Sequence, residues 1–185
     1  KQKREELNRM DQLRSDTLTG ALNRGAFMEA ASAVFAHPRN GGLHALVMVD
    51  VDHFKQINDR FGHGYGDRVL SRICDLLRNA LRADDLVGRL GGDEFVLLLK
   101  NVVNREALQA KIESLCQQLN QRIGENIVVS CSFGAAACPQ DGSDFEELYW
   151  KADTALYAAK EAGRNCTRIY EQQMSRPQVP FETEP

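Results

Sequence analysis

The sequence predicts an α+β domain with a ferredoxin-like βαββαβ core and extra helices. Three observations carry this. Leu43–Val51 is a run rich in apolar and β-branched residues without alternation, the pattern of a central strand covered on both faces. Leu86–Leu90 and Phe95–Leu99 are short apolar runs on either side of Gly91-Gly92-Asp93-Glu94. That is the pattern of a β-hairpin whose glycines supply positive φ at the turn. Around these strands lie segments whose apolar residues recur at a 3.6-residue period, as on helices packed against a sheet.

Taken in order, residues 1–14 are polar, with Leu7, Met10 and Leu13 spaced by three. They read as a signalling or linker helix that ends a longer upstream segment, either part of a coiled coil or a solvated lead-in. Asp16–Gly20 is a turn, and Asn23 caps a helix carrying Phe27, Ala30, Val34 and Phe35. His37–Gly42 is a loop. After the central strand comes a short helix, Phe54–Phe61, which Gly62-His63-Gly64-Tyr65-Gly66 is expected to break. The long helix beyond has Val69, Leu70, Ile73, Leu76, Leu77, Ala80 and Leu81 on one stripe. Asn104 caps a further helix with Leu108, Ile112, Leu115 and Leu119 inward. Ile127–Phe133 alternates as a strand. Ser143 with Glu146 reads as a capping box for a helix that buries Phe145, Leu148, Tyr149, Ala152, Leu156 and Ala159 and stops at Gly163. Cys166–Tyr170 is a last edge strand. Pro177, Pro180 and Pro185 mark residues 172–185 as a disordered tail, leaving 15–171 as one domain.

Composition narrows the function. The chain has 185 residues, suited to one domain, and a net charge of −3, which disfavours binding to a nucleic-acid polymer. The longest apolar run, Ala45–Val49, is too short to span a bilayer. The first residue is Lys1 and no signal peptide is visible, so the chain reads as a piece of a longer protein. Its five cysteines lack a Cys-x-x-Cys pair and are expected to be buried free thiols in a reducing compartment.

The candidate chemistry lies at two acidic pairs. Asp50 and Asp52 end the central strand, two residues apart and so on one face. That strand is read as paired in parallel, its carboxyl end being a common place for a site. Asp93 and Glu94 sit on the hairpin turn. If the hairpin lies beside the central strand, all four acids meet at one edge. Such hard oxygen donors without His or Cys suit Mg²⁺. Each pair alone is equally a solvated turn or strand end. Lys55 follows the first pair, and Lys160 and Arg164 flank the end of the last helix. All three could reach a phosphate, although a lysine in a last turn also complements the helix dipole. Asn58 and Asp67 carry the groups needed to read a base edge, and His63 by itself reads as a packing or capping residue more often than a catalytic one. No P-loop is present.

These residues fall into blocks that resemble the GGDEF domain of diguanylate cyclases. The blocks are Asp16–Arg24, Asp50–Asp59, Gly62–Asp67, Gly91–Phe95, Ala152–Lys160 and Gly163–Asn165, in order over about Asp16 to Tyr170. Ala21 departs softly, since a larger apolar residue is usual there. The resemblance implies a mostly antiparallel central sheet flanked by helices, similar to the palm of nucleotidyl cyclases and polymerases. It implies condensation of two GTP into cyclic di-GMP, with Mg²⁺ or Mn²⁺ held by Asp50, the Val51 carbonyl, Asp93 and Glu94. Asp93 would accept the proton of the attacking 3′-hydroxyl, Glu94 would aid metal binding or that activation, and Lys55 would neutralise phosphate charge. Asn58 and Asp67 would read guanine. Phe54, His63, Gly91 and Gly92 would line the substrate site, and Lys160 and Arg164 would hold the distal phosphates. One GTP per subunit implies a homodimer, with an upstream sensory region in the same chain. The domain would be cytoplasmic, with membrane anchoring left to that upstream region. Arg82-Ala83-Asp84-Asp85 matches the R-x-x-D product-inhibition site of the family; an arginine at a helix end paired with a nearby acid is the alternative, and the placement just upstream of the Gly91 turn favours the inhibition site. A non-catalytic receptor for GTP or cyclic di-GMP is the alternative, disfavoured by the intact acids.

Overall fold

The computed structural model describes residues 13–37, 42–123 and 127–175. The predicted helix over 1–14 lies outside them except for Leu13 and Arg14, as do tail residues 176–185. Met174, in the described part of the tail, packs against the core.

A five-stranded sheet has the order β2-β3-β1-β6-β7, formed by β1 (Leu43–Val51), β2 (Leu86–Gly91), β3 (Glu94–Val102), β6 (Cys131–Cys138) and β7 (Thr167–Ile169). The four strands of the ferredoxin-like core stand in their usual spatial order, with β7 added at the edge. β1 pairs antiparallel with both β3 and β6, which corrects the expected parallel pairing. The reason is topological. The crossover from β1 runs through α2 (Phe54–Phe61) and α3 (His63–Ala80) and sets β2 parallel to β1 but one strand away. The hairpin then folds β3 into the gap, antiparallel to both. Among the described strands of this sheet β6–β7 is the parallel pair, and the isolated bridge of Leu22 to Gly88 of β2 is parallel too.

The sheet is covered on both faces, and all nine residues of β1 are buried, which is why its sequence does not alternate. One face sends Ala45, Val47 and Val49 against Ile73 and Leu77 of α3 and Ile112 of α4 (Arg105–Leu119). The other sends Leu46 and Met48 against Phe27 and Phe35 of α1 (Arg24–Phe35) and Leu148 of α5 (Phe145–Glu161). Ala31 rather than Ala30 completes the α1 stripe. α5 approaches β6 so closely at Gly134 that a Cβ there would lie 2.1 Å from the Leu156 nitrogen and 2.3 Å from the Ala152 carbonyl oxygen. All five cysteines are free; four are buried and Cys166 is partly so.

Three boundaries differ from expectation. The strand read as Ile127–Phe133 is two. Residues 127–129 (β5) pair with 121–123 (β4), a strand not anticipated, and β6 begins at Cys131. The break falls at Ser130, whose carbonyl accepts the Asp52 N–H at 2.9 Å as the next bond in the β1–β6 register, while residues 127–129 turn to β4. The cap of α5 is Asp144, one residue later than expected. Its side chain accepts the Glu147 N–H at 2.9 Å, and Glu147 reaches back to the Ser143 N–H at 3.3 Å. α3 starts at His63, so Gly62 (φ +84°) alone makes the break and Gly64 and Gly66 lie within the first turn.

Candidate active site

The acids of β1 and of the hairpin do meet. Asp50 stands opposite Glu94 in the β1–β3 register, and the Val51 N–H donates to the Asp93 carbonyl at 3.3 Å. The turn between them holds Gly91 at φ +142° and Gly92 at +51°, values that favour glycine. Lys160, in the last turn of α5, forms an ion pair with Asp50 Oδ2, while Asp50 Oδ1 is buried without a hydrogen-bond partner. Burial, and then the neighbouring Asp93 carboxylate, push the Asp50 carboxyl up to about 6, with Lys160 opposing. Glu94 is also raised, by burial and by repulsion from Asp50 and Asp153, with Lys160 and Arg24 opposing.

Asp52 does not join this cluster. It continues the row of Leu46, Met48 and Asp50, but both oxygens are already engaged. Oδ1 accepts from Ser132 Oγ at 2.6 Å, and Oδ2 accepts from Ser130 Oγ at 2.6 Å and from the Asn165 N–H at 3.0 Å. The expected convergence of four acids is therefore three. Among the described residues no three His, Cys, Asp or Glu side chains close on one point as a ready metal cage. The donors nevertheless fit a hard divalent cation. They are all oxygens, Asp50 Oδ1 is an orphaned buried acceptor, and the positive charge now beside Asp50 belongs to Lys160.

A second group forms where α2 meets α3. Asn58 and Phe54 close over Gly66, where a Cβ would fall 1.9 Å from Asn58 Oδ1 and 3.1 Å from Phe54 Cζ. Among the described residues Asn58 Oδ1 is, with Asp50 Oδ1, a buried side-chain oxygen without a hydrogen-bond partner. Asp67 follows Gly66 directly and is exposed, as are Lys55, His63 and Arg164. Arg82 and Asp85 stand apart from the acids, on a cavity of about 90 Å³ shared with Lys100 and Lys111. Asp85 has a local task there, since its oxygens accept the Arg82 N–H at 3.1 Å and the Lys100 N–H at 2.9 Å.

Sequence reasoning missed Arg89. Its Nε and Nη2 donate to the Gly92 carbonyl at 3.0 and 2.7 Å, and its Nη1 donates to Asp16 at 3.1 Å. Asp16 is partly buried, yet hydrogen bonds from Thr19 and Arg89 hold its carboxyl below the usual range. No local pattern links residues 73 positions apart.

An acidic strand end beside an acidic hairpin tip, on this sheet order, defines the palm-like architecture of nucleotidyl cyclases. The chain belongs to the GGDEF family: the pattern described as "Diguanylate cyclase, GGDEF domain" matches residues 13–166. It is 35% identical over 166 residues to diguanylate cyclase DgcS of Shewanella oneidensis, covering 86% of this chain and 54% of that protein. It is 34% identical to cyclic di-GMP phosphodiesterase PdeR of Escherichia coli, covering 88% of this chain and 25% of that one. The chain thus spans about half of the first relative and a quarter of the second. The GGDEF domain of TpbB (YfiN) from Pseudomonas aeruginosa superposes with a TM-score of 0.81 at 33% identity, covering 85% and 94% of the two chains. The coiled coil and GGDEF domain of DgcB from Caulobacter crescentus, solved with c-di-GMP, gives 0.80 at 26% identity, covering 91% of each. No helix among the described residues is long and apolar enough to cross a membrane.

Proposed function

We propose that this chain is an active diguanylate cyclase, condensing two GTP into cyclic di-GMP with release of two pyrophosphates. The observation that carries the reading is the Asp50–Asp93 pair with its orphaned buried oxygen and its cationic neighbour Lys160. Asp50, Asp93, Glu94 and the Val51 carbonyl would hold Mg²⁺, with Mn²⁺ as a substitute. When bound, the cation neutralises charge on the phosphates and polarises the reacting phosphoryl group. Asp93 takes the proton of the attacking 3′-hydroxyl, with Glu94 assisting. Lys55 balances charge on the phosphates, and Lys160 and Arg164 hold their distal end. Asp67 accepts from the N–H groups of the guanine edge and the Asn58 amide both accepts and donates there, between Phe54 and the glycines of the turn, with His63 at the rim. Nucleotidyl transfer needs this positioning and charge balance more than covalent chemistry.

Each subunit would hold one GTP, so two must face each other, and an upstream sensory region would govern that encounter. Incubation with GTP and Mg²⁺ at several protein concentrations, followed by nucleotide chromatography, tests the reading. Cyclic di-GMP should rise faster than linearly with protein. Asp93→Ala should lower the rate by at least about a hundredfold, the order seen when a main electrostatic or proton-transfer group is removed. Nucleotide binding without product, even with dimerisation forced by a fused zipper, would leave the receptor reading in its place. Arg82 and Asp85 would bind the product and restrain the enzyme. Arg82→Ala should then relieve inhibition by cyclic di-GMP without lowering the initial rate, and unchanged inhibition refutes that assignment.

A further inference from the structure

We infer that Asp52 is the positioning residue of the phosphate-binding end of the site. It would hold the turn after α5 in the one conformation that keeps Arg164 beside the strand carrying Asp50. The inference rests on the reading of Arg164 as a phosphate ligand and goes beyond it. Gly163, Arg164 and Asn165 have φ of +110°, +64° and +46°, three successive left-handed residues of which two carry side chains. Such backbone persists only where its surroundings over-determine it. At its helix side the turn is closed by the Gly163 N–H on the Lys160 carbonyl at 3.2 Å and the Arg164 N–H on the Ala159 carbonyl at 3.2 Å. On the far side, the Asn165 N–H is held by Asp52 Oδ2.

Asp52 is well placed to be that anchor. Its carboxylate is buried, and the hydroxyls of Ser130 and Ser132 fix its plane from the opposite strand. Its own N–H is spent on the Ser130 carbonyl. It therefore links the end of β1 to two segments that lie 78 to 113 residues further along the chain: the start of β6 and the turn after α5. Asp50 and Asn165 are joined through two residues, Val51 and Asp52, and one charge-assisted hydrogen bond, so acids and cations keep a fixed separation. Three hydrogen bonds hold this carboxylate in place, which suits a structural tether.

Two measurements test it. Titration calorimetry in Mg²⁺ with GMP and with the α,β-methylene analogue of GTP, which cannot lose pyrophosphate, separates base binding from phosphate binding. Asp52→Ala should weaken the triphosphate about tenfold and leave GMP within about twofold, the scale of one lost charged contact. Asp52→Asn, which keeps one acceptor oxygen, should recover part of that loss. Equal weakening of both ligands, or of neither, overturns the inference. Amide exchange at Asn165 reads the tether without any ligand. It should quicken at least tenfold in Asp52→Ala while the β1 amides stay unchanged, and unchanged Asn165 exchange also overturns the inference. A wild-type chain that does not prefer the triphosphate over GMP would refute the phosphate-binding role of Arg164, and with it the functional half of this inference. The exchange result would still judge the tether. Ser132→Ala, which removes one of the three side-chain bonds, carries the same tests if Asp52→Ala does not fold.

Discussion

Asp50 is a carboxyl whose ionised form is needed for the proposed chemistry and disfavoured by its surroundings. With its pKa raised to about 6, the folded chain holds that proton more tightly than the unfolded chain does. Its contribution to stability is therefore fully present below the usual aspartate value of about 4 and is lost as pH rises through about 6. Asp50→Asn should consequently melt a few degrees higher than wild type at pH 8 in a chelator. The difference should close toward pH 4.5, a few degrees corresponding to about 1 kcal/mol in a domain of this size. Added Mg²⁺ should raise the melting temperature of wild type and not of Asp50→Asn. Circular dichroism melts at the two pH values check all three statements. At this scale the sequence was legible where chemistry is local. The two-residue period placed Asp50 and Asp52 on one face, as found. What separates them is a set of hydrogen bonds to Ser130, Ser132 and Asn165. Contacts over such distances leave no trace in the neighbouring residues, so the fourth acid was assigned to the wrong group.

Among the elements, the corner between α2 and α3 shows why glycine density was misread. The glycine density at 62–66 predicts one long break, but only Gly62 needs its φ of +84° there. Gly66 is helical and is required for space, because Asn58 Oδ1 occupies the place of its missing Cβ. Gly66→Ala should destabilise the fold by about 1–3 kcal/mol, the usual range for overpacking. It should also raise KM for GTP, since Asn58 must leave its position; urea denaturation and initial rates read the two effects. β6 was foreshortened for a related reason. Gly134-Ala135-Ala136-Ala137 has no strand propensity of its own, and its conformation is set by pairing with β1. The opposite case is α4, where Asn104 accepts the Ala107 N–H at 2.8 Å and every predicted inward residue is buried. There the cap and the apolar period agree, so local sequence alone specifies the helix.

For the molecule as a whole, the site is assembled from both layers. The acids come from the middle of the sheet and Lys160 from a helix on one face, so the distance between α5 and β6 enters the chemistry directly. That distance is set at Gly134. Gly134→Ala should lift the helix, because the atoms in the way are the backbone of Leu156 and Ala152 and cannot rotate aside. The loss of stability should reach or exceed the upper end of the 1–3 kcal/mol range for overpacking, and cyclase activity should fall further than stability alone explains. A urea titration alongside activity at a denaturant-free reference checks the two together.

The Asp16–Arg89–Gly92 chain has a mechanical meaning of its own. A pull applied at Arg14 reaches Asp16 two residues later. From there it passes through one guanidinium to the carbonyl at the hairpin tip, without crossing the sheet. The turn that carries Asp93 is thus tethered to the first turn of the domain, as a mast is to its stay.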